Sequence, residues 1–588
     1  MPKAIEKNSN LIVISLIALY VVFFLSVTLQ RYFHLLYQDM DLALINQVFW
    51  NTLHGKAFYS SIRGGIILKD HLFWIVYALL PFYKLHQHPT TLLFFQALFL
   101  GLAAWPLYLI AREKLGNTLA VIIAFLYLIY PATGYGNIYD FHLETMLPVL
   151  LFFSFYYFLR QRLGGFLVCL LLCFMVKEDM ALAGISFGIA SLFMRRSKKW
   201  VLWPLALGLG YGILAFKVLI PHFNGSEYIF SAYYPDIKEI ISHPVATIKF
   251  AFIQPKLIYL VKLFAPLGFL ALASPVVLIG APFFLEALLS KYAPLYQINF
   301  YYGLSLAPFI FVATIFSLQR LKKFRFTGVL LLVIGLAANV IIGPHVSLAR
   351  SVFERKADYL LDYQRELIKK IPEDKAVVAT FGFLAELSNR EEVYSFHYVY
   401  GGFDKLTNKT YKLPDTVEYA LLDFQDQLTF QGFDNDTSPA NINRFLEQGR
   451  WGVEEVIGPL VMLKRNSETK MRLINPIESE LVGEQKLNIV NYQLGVDQND
   501  DNFIIITLDW HVAQDLDKKY LMQLVLADEN NQELGRYYFD PTYNIYPTQL
   551  WKKNQHFRTY YRLPKTAAYE LLVFDSQTKE VIAGVRIK

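Results

Sequence analysis

The chain has 588 residues, 55% of them hydrophobic, 16% aromatic and 18% charged, with a mean hydropathy of +0.33. That is too apolar for a wholly water-soluble protein and too polar for one that is membrane throughout; it excludes disorder, a collagen-like repeat and a disulfide scaffold. Charge is unevenly placed, with a net of +13 over residues 1–344 and −7 over residues 345–588.

Leu11–Leu29 is an uninterrupted apolar run preceded by Lys3 and Lys7, with no small-residue cleavage site after it. It predicts an uncleaved signal anchor, with a removed signal peptide as the alternative. Further apolar segments at about 89–111, 117–131, 144–160, 163–177, 179–194, 200–220, 256–272, 274–289, 301–319 and 326–343 bring the expectation to about eleven crossings. With the N-terminus inside, the clusters Arg112/Lys114, Arg160/Arg162, Arg195/Arg196/Lys198/Lys199 and Arg320/Lys322/Lys323/Arg325 all fall on the cytoplasmic side. The acidic residues sort outward, and the acidic C-terminal half emerges outside. His71–Leu85 is apolar but short and contains Pro81, which predicts an interfacial or re-entrant segment. Cys169 and Cys173 lie in an apolar run and read as small buried residues.

Three stretches of this half carry candidate chemistry. The first external loop, residues 30–88, begins with Asp39 and Asp41, then Leu42, Ile45, Val48, Phe49 and Leu53 at helical spacing. Asp41 stands where an N-cap would, so capping and catalysis both remain open for it. Arg63, Lys69, Asp70 and His71 follow in the same loop. The second external loop, residues 132–144, holds Asp140, His142 and Glu144 within five residues. Carboxylates and an imidazole at that spacing suit substrate binding or a divalent metal such as Mg or Mn. The third stretch is Lys177-Glu178-Asp179-Met180 between two very apolar runs. Charges there require pairing or a polar cavity. Lys177 and Arg63 are candidate partners for a phosphate.

The soluble half mixes elements from Val352 to about Arg465: a charged helix over 352–370, strands at AVVAT, EVYSF and VEYALLDF, a helix at PANINRFLEQG and closing strands at WGVEEVIGPLVMLKR. From about Leu473 the pattern is all-β, with period-two runs such as FIIITLDWHV and FRTYYRLP. The expected organisation is therefore a membrane domain over 1–344, an extracytoplasmic α/β domain over 345–466 and a β-sandwich over 467–588. Tyr537, Tyr543, Tyr546, Trp551 and Tyr560 of the last part suit either sugar stacking or a core. No nucleic-acid signature is present.

The succession DLALINQVFWNTLHGKAFYSSI, DH, HPTTLLFFQALFLGLAAWPLYLIAR, YLIYPATGYGNIYDFHLE and VKEDMAL resembles a prokaryotic membrane-protein family, domain of unknown function 2079. The likeness runs from about Tyr37 to Leu422 and includes IPEDKAVVATFGFLAELSNREEVYSF. That family is similar to the GT-C superfamily of polytopic glycosyltransferases. The resemblance implies a plasma-membrane enzyme that uses a polyprenyl-phosphate-linked sugar donor, a glycan, lipid or protein acceptor, and an external catalytic carboxylate. By position Asp41 or its neighbour Asp39 matches that carboxylate, and Asp140 matches a second acid. The chain has Asp-Met-Asp where an Asp-Glu pair is common, so the base is one of two. His71, His142, Glu144, Arg63, Lys177, Glu178 and Asp179 would then bind or orient substrate. The rival expectations are a transporter or flippase for a lipid-linked precursor and a non-catalytic membrane anchor displaying the external domains.

Overall fold

A chain that crosses a bilayer must satisfy its own backbone hydrogen bonds, and up to residue 353 this one is almost entirely helical. The computed structural model describes residues 2–587 apart from 38, 226–227, 322–325, 354–358, 405–406, 408 and 484, and no side chains at 2–7, 351–353 and 448. The basic residues Lys322, Lys323 and Arg325, and the side chains of Lys3 and Lys7, thus lie outside the described residues. The chain divides into a first unit, Met1–Phe33, Val48–Tyr59 and Gly65–Glu354, and a second, His34–Gln47, Ser60–Gly64 and Arg355–Lys588.

In the first unit, four helices are long and apolar enough to cross a membrane: Asn8–Phe33, Pro89–Leu115, Lys198–Asn224 and Tyr301–Leu321. Two bent pairs raise the number to six among the described residues, and Leu143–Leu159, Leu163–Val176, Pro275–Leu289 and Thr327–Ile342 are shorter apolar helices. Their outward faces are hydrocarbon. Leu11, Leu19 and Val22 on the first helix and Val329, Val333 and Val340 on Thr327–Ile342 are all exposed. Such surface would be costly in water and is at home in lipid. The expected external loop 132–144 is partly helical instead. Tyr130 is extended (φ −62°, ψ 130°) ahead of Pro131, and a new helix, Pro131–Ile138, leaves at 40° to Asn117–Leu128. A residue before proline avoids the helical region, which accounts for the bend. The segment expected to be interfacial forms only the nine-residue helix Ile75–Tyr83.

Small residues set the closest approach in this unit. A Cβ on Gly208 would lie 2.7 Å from the Ala181 carbonyl oxygen and 2.8 Å from the Ile185 nitrogen; one on Gly184 would lie 2.9 Å from the Pro204 carbonyl oxygen. The helices Ala181–Phe193 and Lys198–Ile213 therefore touch backbone to backbone. Gly208→Ala is expected to cost about 1–3 kcal/mol. Gly210→Ala, with nothing within 4 Å, should cost nothing. Thermal unfolding of the two variants in detergent checks the contrast.

The second unit contains the larger sheets. A five-stranded mixed sheet has the strands β1 (Val377–Ala379), β2 (Val393–Ser395), β3 (Tyr419–Asp423), β4 (Trp451–Ile457) and β5 (Leu460–Arg465) in the order β2-β1-β3-β5-β4. β1 runs parallel to both neighbours and is wholly buried, as an unbroken apolar run such as AVVAT requires. β4 and β5 form an antiparallel hairpin whose turn places Gly458 at φ +58°. Two four-stranded antiparallel sheets follow, built from β6 (Ile474–Pro476), β7 (Leu487–Val496), β8 (Phe503–Val512), β9 (Tyr520–Ala527), β10 (Glu533–Phe539), β11 (His556–Pro564), β12 (Ala568–Asp575) and β13 (Val581–Ile587). Their orders are β6-β11-β8-β7 and β10-β9-β12-β13.

β11 shows the period-two pattern plainly: Phe557, Thr559, Tyr561 and Leu563 are buried and the residues between them half-buried. Tyr537, Tyr543 and Trp551 are core residues, not a sugar-stacking surface. Trp551 is fully buried, its Nε1–H donates to the Tyr546 carbonyl at 2.7 Å, and the Phe557 ring stands edge-on to it at 4.2 Å. Tyr543 donates its hydroxyl to the Gly458 carbonyl at 3.2 Å, which ties the mixed sheet to its neighbours. Tyr546 and Tyr560 are half-buried.

Candidate active site

The helix Leu163–Val176 stops because Lys177 is extended (φ −160°, ψ 145°). Glu178–Met180 then makes one 3₁₀ turn before the next helix opens at Ala181. This break turns three charged side chains into an otherwise apolar unit, and each is accounted for. Lys177 Nζ lies 3.1 Å from Asp179 Oδ2 and 3.5 Å from Glu144 Oε1. Glu178 is completely buried and accepts three hydrogen bonds: from His71 Nδ1–H at 2.7 Å, the Leu72 N–H at 3.0 Å and the Tyr228 hydroxyl at 2.9 Å. The His71 ring is fixed further by stacking on Phe230, centroids 4.7 Å apart and planes 7° from parallel. Burial alone would push His71 down, but the Glu178 carboxylate outweighs it and holds the imidazole above its ordinary 6.5.

Lys177, Asp179 and Glu144 face a cavity that opens to solvent. Glu286, from the helix Ala281–Leu289, joins them, and the rings of Tyr259, Tyr301 and Tyr302 complete its polar wall. Glu286 accepts a hydrogen bond from the Tyr234 hydroxyl at 3.2 Å. Lys177 Nζ stands 6.0 Å from the centre of the Tyr302 ring. Three polar atoms of this wall are buried without a hydrogen-bond partner: Glu144 Oε2, Asp179 Oδ1 and the Tyr259 hydroxyl. Buried polar groups are ordinarily satisfied, so such a set at one cavity marks it as a place for a ligand.

The second-loop residues are positioned by a short network. Gln96 donates to the Asn137 carbonyl at 2.6 Å and accepts from the His142 N–H at 3.4 Å. His142 Nδ1–H donates to the Asp140 carbonyl at 2.8 Å, and its ring stacks on Tyr301 at 3.5 Å. His142 therefore supports a cavity wall. Asp140 is buried beside it and does not line the cavity.

Asp39, Asp41 and Arg63 belong to the second unit. Asp41 is the first residue of the helix Asp41–Leu53, and Asp39 Oδ1 accepts from the Met40 N–H at 2.7 Å. Both carboxylates are half-buried. Arg63 is buried and paired with Asp404 at 2.7 Å. Within the first unit, then, the structure brings together Glu144, Lys177 and Asp179 around one cavity, and His71 with Glu178 beside it. Glu286 and the tyrosines were not anticipated as site residues. The available signal was a single acid inside an apolar helix. Among the described residues no group of three His, Cys, Asp or Glu is arranged to hold a metal ion.

A family described as "Predicted membrane protein (DUF2079)" matches residues 31–456. No curated protein matches the sequence. Similar solved structures include ArnT from Cupriavidus metallidurans bound to undecaprenyl phosphate, at 13% identity and TM-score 0.43, covering 77% of this chain and 99% of that one. An oligosaccharyltransferase from Archaeoglobus fulgidus in complex with Zn and sulfate has 11% identity and TM-score 0.41, covering 97% and 98%. The oligosaccharyltransferase AglB from Archaeoglobus fulgidus, with an inhibitory peptide and a dolichol-phosphate, has 10% identity and TM-score 0.42, covering 97% and 98%.

Proposed function

Since the chain belongs to the DUF2079 family of membrane proteins, we propose that it is a glycosyltransferase using a polyprenyl-phosphate-linked sugar at the outer face of a prokaryotic plasma membrane. The observation that carries this reading is the cavity: carboxylates, an ammonium and tyrosine rings gathered among lipid-facing helices, with polar atoms left for a ligand. Ionisable groups at such a place are expensive and are kept for function. Tyrosine faces and carboxylate acceptors are also what a sugar ring with its hydroxyls requires. The resemblance of the first two external loops to the GT-C plan supplies the reaction class.

The chemistry is a single displacement. A carboxylate, Asp41 in this reading and Asp39 as its alternative, takes the proton of an acceptor hydroxyl as that oxygen bonds to the anomeric carbon. The bond from that carbon to the phosphate oxygen breaks, its electron pair leaves with the polyprenyl phosphate, and the configuration inverts. Asp41 and Asp39 enter this reading by the resemblance alone; within the first unit, Asp140, Glu144 and His142 are assigned to orienting substrate or the wall that holds it. Lys177 was a candidate for the leaving phosphate; its two carboxylate partners make it a less effective one, and Arg63 is similarly occupied by Asp404. No step is assigned to a metal.

A purified sample in nanodiscs, given a labelled sugar on polyprenyl phosphate and a mixture of envelope acceptors, should transfer the label with inverted anomeric configuration. A second reading, a flippase for a lipid-linked precursor, is favoured by the two bent helix pairs, Asn117–Leu128 with Pro131–Ile138 and Pro244–Ala251 with Gln254–Leu267, the latter at 53°. Label that crosses a proteoliposome membrane still attached to its lipid would select that reading. We place the N-terminus in the cytoplasm and the C-terminal half outside from the Lys/Arg asymmetry; a reporter fused after Lys588 reads the side directly.

A further inference from the structure

The acidic side chains of the cavity wall outnumber the basic ones. Glu144, Asp179 and Glu286 contribute three carboxylates, and Lys177 is the one cation among the lining residues. The neighbouring Glu178 is already matched by His71. Lys177 reaches one oxygen of Glu144 and one of Asp179, which leaves Glu144 Oε2 and Asp179 Oδ1 buried and unpartnered. The Tyr259 hydroxyl, from a different helix, is unpartnered too. Glu144 is only 5% exposed and Tyr259 only 2%, and each of the three atoms is itself buried. An anion would meet a surplus of like charge there. A neutral sugar would fill acceptors but leave the surplus uncompensated.

We infer that the cavity binds an ammonium group carried by the sugar or the acceptor, held by Glu144, Asp179 and Glu286 against the faces of Tyr301 and Tyr302. An ammonium supplies three donors for the unpartnered oxygens and one positive charge for the surplus. Tyrosine faces attract a cation within about 6 Å, and Lys177 already stands at that distance from Tyr302. The same rings favour an ammonium over a metal ion, which would seek further oxygen or nitrogen ligands; the described residues present no three-membered His/Cys/Asp/Glu set for one. The inference rests on the cavity being the substrate site of the proposed reaction, and names the class of substrate.

The test is calorimetric binding to the full chain in nanodiscs, with glucosamine at a pH where its amine is protonated, and with glucose, N-acetylglucosamine and magnesium chloride as comparators. Glucosamine should bind at least about tenfold more tightly than either neutral sugar. Glu286→Gln and Glu144→Gln should each remove that preference, and the melting temperature of the unliganded variants verifies folding. Tyr302→Leu, which removes a ring and no carboxylate, should weaken glucosamine more than it weakens glucose. Equal binding of the three sugars, no binding of glucosamine, or binding of magnesium alone overturns the inference. A transfer assay separates it from the reading beneath it. Amine preference without transfer retires glycosyl transfer only, whereas transfer confined to neutral donors and neutral acceptors retires the ammonium site only.

Discussion

Asp41→Asn is expected to lower sugar transfer by about 10²–10⁴-fold, with little change in folding. Two roles for this carboxylate differ in what they predict. As the first residue of the helix Asp41–Leu53 it opposes the positive end of the helix dipole, an effect of about 0.3–1 kcal/mol. Asparagine lacks that charge, so the substitution costs folding no more than this small amount. Proton abstraction does not survive it, because an amide has no basicity to offer. A variant that melts within a degree or two of the parent yet fails in the transfer assay therefore identifies a base. Asp39→Asn run in parallel locates it: whichever of the two loses activity carries the proton, and full activity in both would falsify the assignment.

Glu178→Ala should destabilise the membrane unit by about 3–5 kcal/mol, the largest single-site stability effect expected here. Three donors converge on this fully buried carboxylate, and alanine leaves an imidazole N–H, a tyrosine hydroxyl and a backbone N–H facing a void. Glu178→Gln keeps an acceptor for Leu72 and should cost less. The pair also predicts a pH dependence. His71 has its folded-state value raised above 6.5, so its contribution is complete below that value and is lost as the pH rises through the raised one. The melting temperature of the wild type should fall as the pH is taken from mildly acidic to alkaline, and that slope should flatten in His71→Gln. A wild-type curve level across this range would mean that His71 and Glu178 do not pair as a charged couple.

The sheets were legible because their signals are local. AVVAT, VEYALLDF and FRTYYRLP each carry a run of β-branched or aromatic residues between polar breaks, and each became a strand close to where the pattern put it. The break at Lys177 was equally visible, since three charges inside greasy sequence admit few explanations. What escaped was assembly. Glu286 is one acid in a nine-residue apolar helix, and Tyr259, Tyr301 and Tyr302 are ordinary aromatics in a chain with 38 tyrosines. Only helix packing brings them to Glu144 and Lys177. The bend at Pro131 was missed for a related reason: hydropathy is blind to a change of direction within an apolar run. The aromatics of the last sheets were ambiguous in sequence because a core tyrosine and a ligand-facing one have the same composition.

The helices on either side of Lys177 are 14 and 13 residues long. At 1.5 Å per residue each reaches only about 20 Å, against a hydrocarbon thickness of about 30 Å. The charged turn between them is thus sunk below the headgroups unless the bilayer thins to meet it. Lipid thickness then becomes a variable of the site, through hydrophobic mismatch. A recessed turn favours a substrate that arrives already tethered to a lipid, because its tail holds the headgroup at the depth where Lys177 and Glu144 lie.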